Sequence, residues 1–386
     1  LTVSAEEIFR DQKMLKREKF LNLSWSAYLC AKILLMFLIS ALQAALFVVI
    51  ANTILGIKEM YFAYWLALFT TAACANLLGL NISSAFRSAV TIYIVVPLLM
   101  IPMMVLSGAM FSFEKLNRTV SSIGKTPWIA DLMPTKWTYE ALMVHQFKDN
   151  RYQKIFYELN KIQSIADFKN VYYLPELEKR LENCEKEYTA SGKIERTTDD
   201  LLLLKNELSV QTHYVPSIAF PDLCKLTKDS LTKEVIHNIH LYLTRLKNYY
   251  TYLFMMAANK KEDTIAFLTR QGSGYLKKLK DDYHNESVED IVTKVYEKNK
   301  ILVYRHQIIQ NTDPIYLDPP PAENPLNFRA HFMAPVKYFS GRYFDTYIFN
   351  IGVVWMYTGI LYILLYFKVL KNILSFFEKI KAKNGM

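Results

Sequence analysis

Few side chains of this chain have the types and spacing of a catalytic or metal-binding site. His237 and His240 share one face of a helical segment, but no neighbouring acid or cysteine completes a set of metal ligands. The sequence contains no Ser/His/Asp or Cys/His arrangement suited to nucleophilic catalysis, and no Gly-x-x-x-x-Gly-Lys-Ser/Thr phosphate loop. We therefore expect no catalytic residue, no metal site and no cofactor in this chain, which is not an enzyme by itself.

Charged side chains near the N-terminus have a different chemistry, that of ion pairs with another protein. The segment begins with Ser4-Ala-Glu-Glu7, which fits a helix capping box, and its basic run is typical of a helix lying on a membrane surface. Its candidates for charge-assisted contacts with a partner domain are Glu7, Arg10, Arg17 and Glu18. The alternative is that these groups are solvated or bind lipid head groups.

Four uncharged apolar runs are long enough to form helices that cross a bilayer. They cover residues 33–55, 61–80, 89–113 and 346–367. A helix rises about 1.5 Å per residue and the hydrocarbon core is about 30 Å thick, so roughly 20 apolar residues suffice. The mean hydropathy of +0.07 averages these runs with a polar middle segment. We predict an all-α, multi-pass membrane protein.

Charge at the ends of the runs predicts their orientation. Basic residues precede the first run and follow the last, whereas the first loop carries only Lys58 beside Glu59. By the positive-inside rule, both termini lie in the cytoplasm and the long middle segment lies outside. We expect the membrane to be the cell (inner) membrane. The net charge of +10 does not predict nucleic-acid binding, because the basic residues are interspersed with acids.

The pattern divides the chain into consecutive segments. In order, these are a cytoplasmic amphipathic helix (1–24), three transmembrane helices (25–113), external re-entrant or interfacial helices (114–150), an extracytoplasmic helical insertion (151–312), a Pro-rich linker (313–342), the last transmembrane helix (343–369) and a basic cytoplasmic tail (370–386). Apolar stripes in the insertion predict a helical bundle. One stripe comprises Leu177, Leu181, Cys184 and Tyr188, and another comprises Val235, Ile239, Leu243, Leu246, Tyr250 and Leu253. Whether Cys184 pairs with Cys224 stays open.

Polar and aromatic residues near the membrane have separate predicted roles. For Asn52 and Asn76, within the runs, hydrogen bonds between helices are favoured over contacts with a substrate. We expect Trp128, Trp137 and Tyr139 at the outer interface, where amphipathic rings are favoured. The runs carry no Asp, Glu or Arg, which argues against an ion-coupled transporter.

Two passages resemble a known family of membrane proteins. The first comprises Lys16-Arg17-Glu18, Asn22-Leu23-Ser24 and Ser26-Ala27-Tyr28-Leu29-Cys30-Ala31-Lys32. The second comprises Met103-Met104-Val105-Leu106-Ser107-Gly108, Pro127-Trp128-Ile129, Pro134-Thr135-Lys136-Trp137-Thr138-Tyr139-Glu140-Ala141-Leu142 and Gln146-Phe147. They resemble the permease (transmembrane) domain of G-type ABC transporters, of the ABC-2 class, over about residues 4–150 and more weakly in the last span.

The resemblance implies a six-helix permease domain, of which the four spans are the third to the sixth. It implies an N-terminally truncated chain, consistent with Leu1 at its start, and a nucleotide-binding ATPase domain, holding ATP and Mg, upstream or on a partner. It also implies a second permease copy, as a homodimer or a heterodimer, around a central path. The helix over 4–21 would couple the ATPase to the membrane through Glu7, Arg10, Arg17 and Glu18.

The resemblance also assigns residues to the substrate path. Ala109 and Met110 match an apolar plug across the dimer axis, and Ile101 and Met104 match positions that face the cavity. Methionine is flexible and polarizable, which suits an adaptable apolar wall. Packing against lipid or other helices is the alternative for each residue.

Two functions from different classes remain open. The first is the permease part of an ATP-driven exporter that moves an apolar or amphipathic substrate. The second is a membrane-anchored scaffold or binding protein, whose extracytoplasmic helical module recruits a partner. An ATPase domain in the same reading frame, with substrate-stimulated hydrolysis, distinguishes the first from the second.

Overall fold

The computed structural model of the chain describes residues 1–18, 24–86, 88–111, 113, 124–228, 230–270, 272, 274–321, 324 and 327–384. These residues form two compact units. The first, which we call the membrane unit, comprises Leu1–Gln146, Pro320–Phe332 and Val336–Met386. The second, which we call the insertion unit, comprises Phe147–Pro319 and Met333–Pro335.

Helices dominate both units. The first in chain order are α1 (Thr2–Glu18), α2 (Trp25–Leu55), α3 (Tyr61–Ala85), α4 (Ala89–Val105), α5 (Trp128–Asp131) and α6 (Pro134–Lys148). Next come α7 (Gln153–Phe168), α8 (Leu174–Ser191), α9 (Thr198–Tyr214), α10 (Lys233–Arg270), α11 (Tyr275–Tyr283) and α12 (Glu286–Thr293), followed by strands β1 (Ile301–Tyr304) and β2 (Gln307–Gln310). The last elements are β3 (Val336–Phe339), β4 (Arg342–Asp345), α13 (Thr346–Tyr366) and α14 (Val369–Asn384).

Three of the described helices, α2, α3 and α13, are long and apolar enough to cross a membrane. The predicted all-α membrane protein is thus confirmed, but the predicted span over 89–113 is shorter, since α4 has 17 residues, a length of about 25 Å. The helix ends because the Ser107 hydroxyl donates to the Met104 carbonyl oxygen at 2.7 Å and Gly108 follows with φ +82°. A right-handed helix cannot continue through that backbone conformation.

The central helix of the membrane unit is α3, which packs against α1, α2 and α13. Small side chains on α3 let these helices approach closely; the buried ones include Ala67, Thr70, Ala73 and Cys74. Asn76 Nδ2 donates to Ser40 Oγ of α2 at 2.7 Å, and Asn76 Oδ1 accepts from Ser4 Oγ of α1 at 3.2 Å. The predicted hydrogen bonds between helices are confirmed for Asn76. The prediction is wrong for Asn52, whose buried Nδ2 has no hydrogen-bond partner among the described residues.

The insertion unit has an apolar core of its own. The predicted stripes of α8 and α10 meet in this core, where Leu177, Leu181, Cys184, Val235, Ile239, Leu243, Leu246 and Tyr250 are buried and Tyr188 and Leu253 pack against them. Residues at helical spacing thus form one continuous apolar interior, as in a soluble bundle. Cys184 and Cys224 are free thiols in the structure, the first buried and the second exposed.

Two hairpins depart from the predicted helical insertion and extended linker. β1 pairs antiparallel with β2, and the turn residues Arg305 and His306 both have positive φ, as a tight two-residue hairpin turn requires. β3 pairs with β4 across Ser340 and Gly341, so the region predicted as a linker over 313–342 contains a strand. Arg-His and Ser-Gly are weaker turn signals than Asn-Gly, which is why the sequence pattern missed both hairpins.

Candidate coupling helix and translocation path

An ion-pair network attaches α1 to the first membrane-capable helix. Lys32 of α2 places its Nζ 2.8 Å from a carboxylate oxygen of Glu7 and 2.8 Å from one of Asp11. The Tyr28 hydroxyl donates to the same Asp11 oxygen at 2.8 Å. Partial burial opposes ionisation of Asp11, but the hydrogen bonds from Lys32 and Tyr28 prevail and lower its pKa. Two charged groups one helical turn apart on α1 therefore hold a single cation of α2.

Close packing attaches α1 to α3 as well. A Cβ at Gly79 would lie 2.7 Å from the Leu1 carbonyl oxygen and 2.7 Å from Ser4 Oγ, so only glycine allows this approach. Ala5 is fully buried, and the Phe9 backbone N–H donates to Ser83 Oγ at 2.8 Å. The N-terminal half of α1 is thus packed directly against α3.

The residues predicted to contact an ATPase have different environments in the structure. Glu7 is bound to Lys32 within the chain, so its carboxylate is engaged by α2. Arg10 and Arg17 are exposed on α1, and their role as contacts stays a prediction. The side chain of Glu18 lies outside the described residues. Sequence reasoning missed Asp11 as a second ligand of Lys32, although its i, i+4 spacing from Glu7 was a usable signal.

α4 has a buried face and an exposed apolar face. Ile92 and Val96 are buried in a cluster with Ala5 and Ile82. Along the opposite stripe, at helical spacing, lie the exposed side chains of Val90, Ile94, Leu98, Ile101 and Met104. The structure thus brings the predicted path residues Ile101 and Met104 onto one stripe, and Ala109 and Met110 are exposed just beyond the helix. What this stripe faces stays a prediction.

The turn after α4 has little freedom. Besides its positive φ, Gly108 is close to Phe332, because a Cβ there would lie 2.5 Å from the Phe332 ring. Phe113 stacks edge-on against Phe332 with ring centroids 4.8 Å apart. The Thr135 hydroxyl of α6 donates to the Met103 carbonyl oxygen at 2.6 Å. The turn that follows α4 and carries Ala109 and Met110 is therefore in close contact with its neighbours.

A buried charge cluster, which we call the Glu140 cluster, comprises Asp131, Lys136, Glu140, Lys337 and Asn350. Lys337 Nζ of β3 lies 2.6 Å from Glu140 Oε1, and Lys136 Nζ lies 3.5 Å from Glu140 Oε2. Asn350 of α13 donates to Glu140 Oε2 at 3.0 Å. Lys136 also lies 3.2 Å from Asp131. The cluster thereby joins α5, α6, β3 and α13.

Two ammonium groups keep Glu140 ionised. Its side chain is completely buried, which by itself raises the pKa, but the charges of Lys136 and Lys337 outweigh that effect and lower the pKa to about 2. Lys136 and Glu140 are four residues apart on α6, a spacing visible in the sequence. Lys337 is far away in the chain, so no local pattern indicates that it completes the cluster.

Trp137 corrects one expectation about the outer interface. It is 1% exposed, and its indole N–H donates to the Asp131 carbonyl oxygen at 2.8 Å. Trp128 is 58% exposed, in agreement with an interfacial position. The predicted interfacial role is wrong for Trp137, because the neighbouring charge cluster orients α6 with this side chain inwards.

The described residues contain no group of three or more His, Cys, Asp or Glu side chains placed to hold a metal ion. Of the two histidines with helical spacing, His240 places Nε2 3.2 Å from Glu185. This geometry is that of a surface ion pair.

Comparison with known proteins gives one match. Residues 1–147 match the model of the family described as ABC-2 type transporter. The match covers α1 to α5 and almost all of α6, and it bears out the resemblance on which the prediction rested. No curated protein and no solved structure matches the chain.

Proposed function

Because residues 1–147 match the model of the family described as ABC-2 type transporter, we propose that the chain is the permease part of an ATP-driven exporter for an apolar or amphipathic substrate. The family implies an ATPase partner. The observation that carries the proposal is the attachment of α1 through Lys32, which holds both Glu7 and Asp11 at 2.8 Å. A rigid helix at the membrane surface transmits a displacement that a loop would absorb.

In this proposal, the ATPase moves α1, and α2 and α3 follow because α1 is ion-paired to one and closely packed on the other. The exposed stripe of α4 lines a path between two copies of the chain, with Ile101 and Met104 on the wall and Ala109 and Met110 at the constriction. An apolar path free of ionisable side chains suits a substrate that is itself apolar or amphipathic. Both termini are cytoplasmic and the insertion unit lies outside.

The coupling step is tested by Lys32→Met in the complete transporter, the chain together with its ATPase, reconstituted in liposomes. We expect ATP-dependent movement of fluorescent amphipathic dyes to fall about tenfold or more, while ATP hydrolysis and membrane insertion persist, because α1 loses its ionic attachment. Lys186→Met, at a side chain 76% exposed, is the matched control. Dye transport at the parent level in Lys32→Met would contradict the proposed coupling.

The path is tested separately. Met104→Ala should change which dyes are moved rather than whether any is moved, since an apolar pocket discriminates by only about 1–3 kcal/mol per methylene. Met110→Cys should form a disulfide between two copies in a background without the native cysteines. If Met110→Cys does not crosslink and Met104→Ala matches the parent, the stripe faces lipid.

The orientation is tested in intact cells with an impermeant thiol reagent, again in a cysteine-free background. Lys186→Cys on the insertion unit should be labelled, and Lys371→Cys on α14 should be labelled only after the membrane is permeabilised. Labelling of Lys371→Cys alone would reverse the proposed topology.

A further inference from the structure

The insertion unit has an open cavity on its surface. Its volume is about 450 Å³, within the range of small-ligand pockets. Part of its lining comes from the segment after α9, namely Ser217, Ile218 and Ala219, and the rest from α10. On α10, the lining residues are Arg245, Asn248, Tyr249 and Tyr252.

The helical spacing of α10 places the polar and aromatic side chains on one face. Arg245, Asn248 and Tyr252 follow each other at i, i+3 and i+7, and Tyr249 lies one turn after Arg245. Tyr249 and Ile218 pack against the apolar core of the unit. The floor of the cavity is therefore supported by the core, which holds the lining in place without a ligand.

Arg245 has no ion-pair or hydrogen-bond partner among the described residues, and its side chain is exposed. Asn248 and Tyr252 likewise have no partner among the residues that the structure describes, and Tyr252 is 66% exposed. A guanidinium group has five donors and no acceptor, and a carboxylate offers it both the opposite charge and the matching planar geometry.

The other side chains that line the cavity restrict the chemical class of the ligand further. The Asn248 amide and the Ser217 hydroxyl each donate and accept, as sugar hydroxyls require. A tyrosine ring has a negative face that attracts polarised C–H groups, such as those on one side of a pyranose ring. Inorganic phosphate would satisfy Arg245 but would leave the tyrosine faces unused. A neutral sugar would satisfy the tyrosines and leave Arg245 without its anion.

We infer that this cavity, which we call the α10 cavity, binds an acidic saccharide, with its carboxylate on Arg245, its hydroxyls on Asn248 and Ser217 and one face of its ring on Tyr252. This site does not depend on the proposed transport function. It gives the insertion unit a recognition role of its own, for a sugar that carries a carboxylate.

The experiment is saturation-transfer NMR with glucuronate on the purified full chain, in a zwitterionic detergent without sugar groups. We expect a saturable signal from glucuronate, a much weaker one from glucose, and little competition by inorganic phosphate. Arg245→Gln should weaken glucuronate binding by about tenfold or more, the usual effect of removing a charge-assisted hydrogen-bond pair. Tyr252→Ala should weaken it as well, and Arg270→Gln, at an exposed arginine of the same helix, should leave it unchanged.

Each of three outcomes would overturn the inference. The first is the absence of a saturable glucuronate signal. The second is equal binding in Arg245→Gln or Tyr252→Ala and the parent, with melting temperatures showing that the variants are folded. The third is displacement of glucuronate by an equal concentration of phosphate, which would make the site a general anion site.

Discussion

Two buried glutamates, one in each unit, show how the charges around a carboxylate decide its ionisation. Glu140 of the membrane unit is 0% exposed and Glu207 of the insertion unit is 5% exposed, so burial penalises the ionised form of both. Yet the pKa of Glu140 is lowered to about 2, whereas burial raises the pKa of Glu207 above its usual value. Similar burial therefore has opposite outcomes.

The difference lies in the partners. Glu140 has two ammonium groups, those of Lys136 and Lys337, within 3.5 Å. Glu207 accepts hydrogen bonds from the Tyr173 hydroxyl at 2.9 Å and the Ile308 backbone N–H at 2.6 Å, and the charge of Lys169 also lowers its pKa, but by less than burial raises it. In a buried site, hydrogen bonds from neutral donors stabilise an ionised carboxylate less than a neighbouring positive charge does.

The Glu207 cluster, which comprises Lys169, Tyr173, Glu207 and Ile308, lies at an irregular helical turn. The segment Lys169–Tyr173 is a π-helix between α7 and α8, next to Pro175, which has no N–H to donate to the preceding turn. Lys169 Nζ lies 3.5 Å from the centroid of the Tyr173 ring. Burial lowers the pKa of Lys169 to about 8. In the insertion unit, burial thus shifts the pKa values of Lys169 and Glu207 towards their neutral forms, whereas two ammonium groups keep Glu140 of the membrane unit ionised.

Glu140→Gln should have the largest effect on stability, because it leaves the buried ammonium groups without their shared counter-ion. We expect a loss of about 3–5 kcal/mol in the free energy of unfolding. Trp137 borders the cluster but is one of five tryptophans in the chain, so hydrogen exchange of α6 during unfolding in mixed micelles, rather than tryptophan fluorescence, reports this region. The pKa of Glu140 is lower in the folded than in the unfolded state, so its contribution is complete above the unfolded value of 4.5 and is lost as pH falls towards 2. Glu140→Gln should lack that loss.

Lys169 should produce the next largest effect, in the alkaline rather than the acidic range. Its pKa falls from 10.5 to about 8 on folding, so between these values the folded state binds fewer protons than the unfolded state. The stability of the insertion unit should therefore rise across that interval, by on the order of 2–3 kcal/mol. Hydrogen exchange of α9, corrected for the intrinsic rate, measures this rise. An equal rise in Lys169→Met would show that other groups cause it.

Glu207→Gln should cost only about 1 kcal/mol, because both hydrogen-bond donors to Glu207 among the described residues are neutral groups, whereas Glu140 balances two ammonium groups. The glutamine oxygen can still accept from the Ile308 N–H, and its amide can donate to the Tyr173 oxygen. The measurement is hydrogen exchange of β2 and α9 at pH 7. A loss as large as that of Glu140→Gln would mean that both glutamates are ionised, and the comparison would fail.

Glu182→Gln should have the smallest effect and serves as the control for both buried glutamates. Glu182 pairs with Lys186 at 3.6 Å, four residues away on α8, and both side chains are more than half exposed. Such pairs contribute about 0.3–0.5 kcal/mol at most. Hydrogen exchange of α8 should match that of the parent within this amount. A larger change would indicate that glutamine substitution disturbs α8 for reasons other than charge.

Much of the helical architecture could be predicted from local pattern. The stripe from Val235 to Tyr250 is buried along α10 as its spacing indicates, and the apolar runs of α2, α3 and α13 are helices that can cross a membrane. The length of α4 could not be predicted, because its end depends on the Ser107 hydroxyl and on the space that Phe332 leaves at Gly108. The run of apolar residues continues through that turn, although the helix ends before it.

The candidate site was only partly visible in the sequence. The resemblance identified Ile101 and Met104, and the structure places both on one exposed stripe. Glu7 was identified as charged and near the membrane, but its partner proved to be Lys32 of the same chain. The sequence around a charged side chain looks the same whether its partner is in the same chain or in another protein. The sequence alone therefore could not show which kind of partner Glu7 has.

Spacing along the chain determined what depends on neighbours within a few turns, namely which runs are helical, which faces are apolar and which family residues 1–147 match. The tertiary structure decided which distant charges meet. Lys337 reaches Glu140 and Lys32 reaches Asp11 only because packed helices bring them together. The physical reason is that helix formation and apolar burial follow local periodicity along the chain. An ion pair depends instead on the distance between two charges in space, because their interaction energy falls as that distance grows. Such a pair between distant residues leaves no periodic pattern in the sequence.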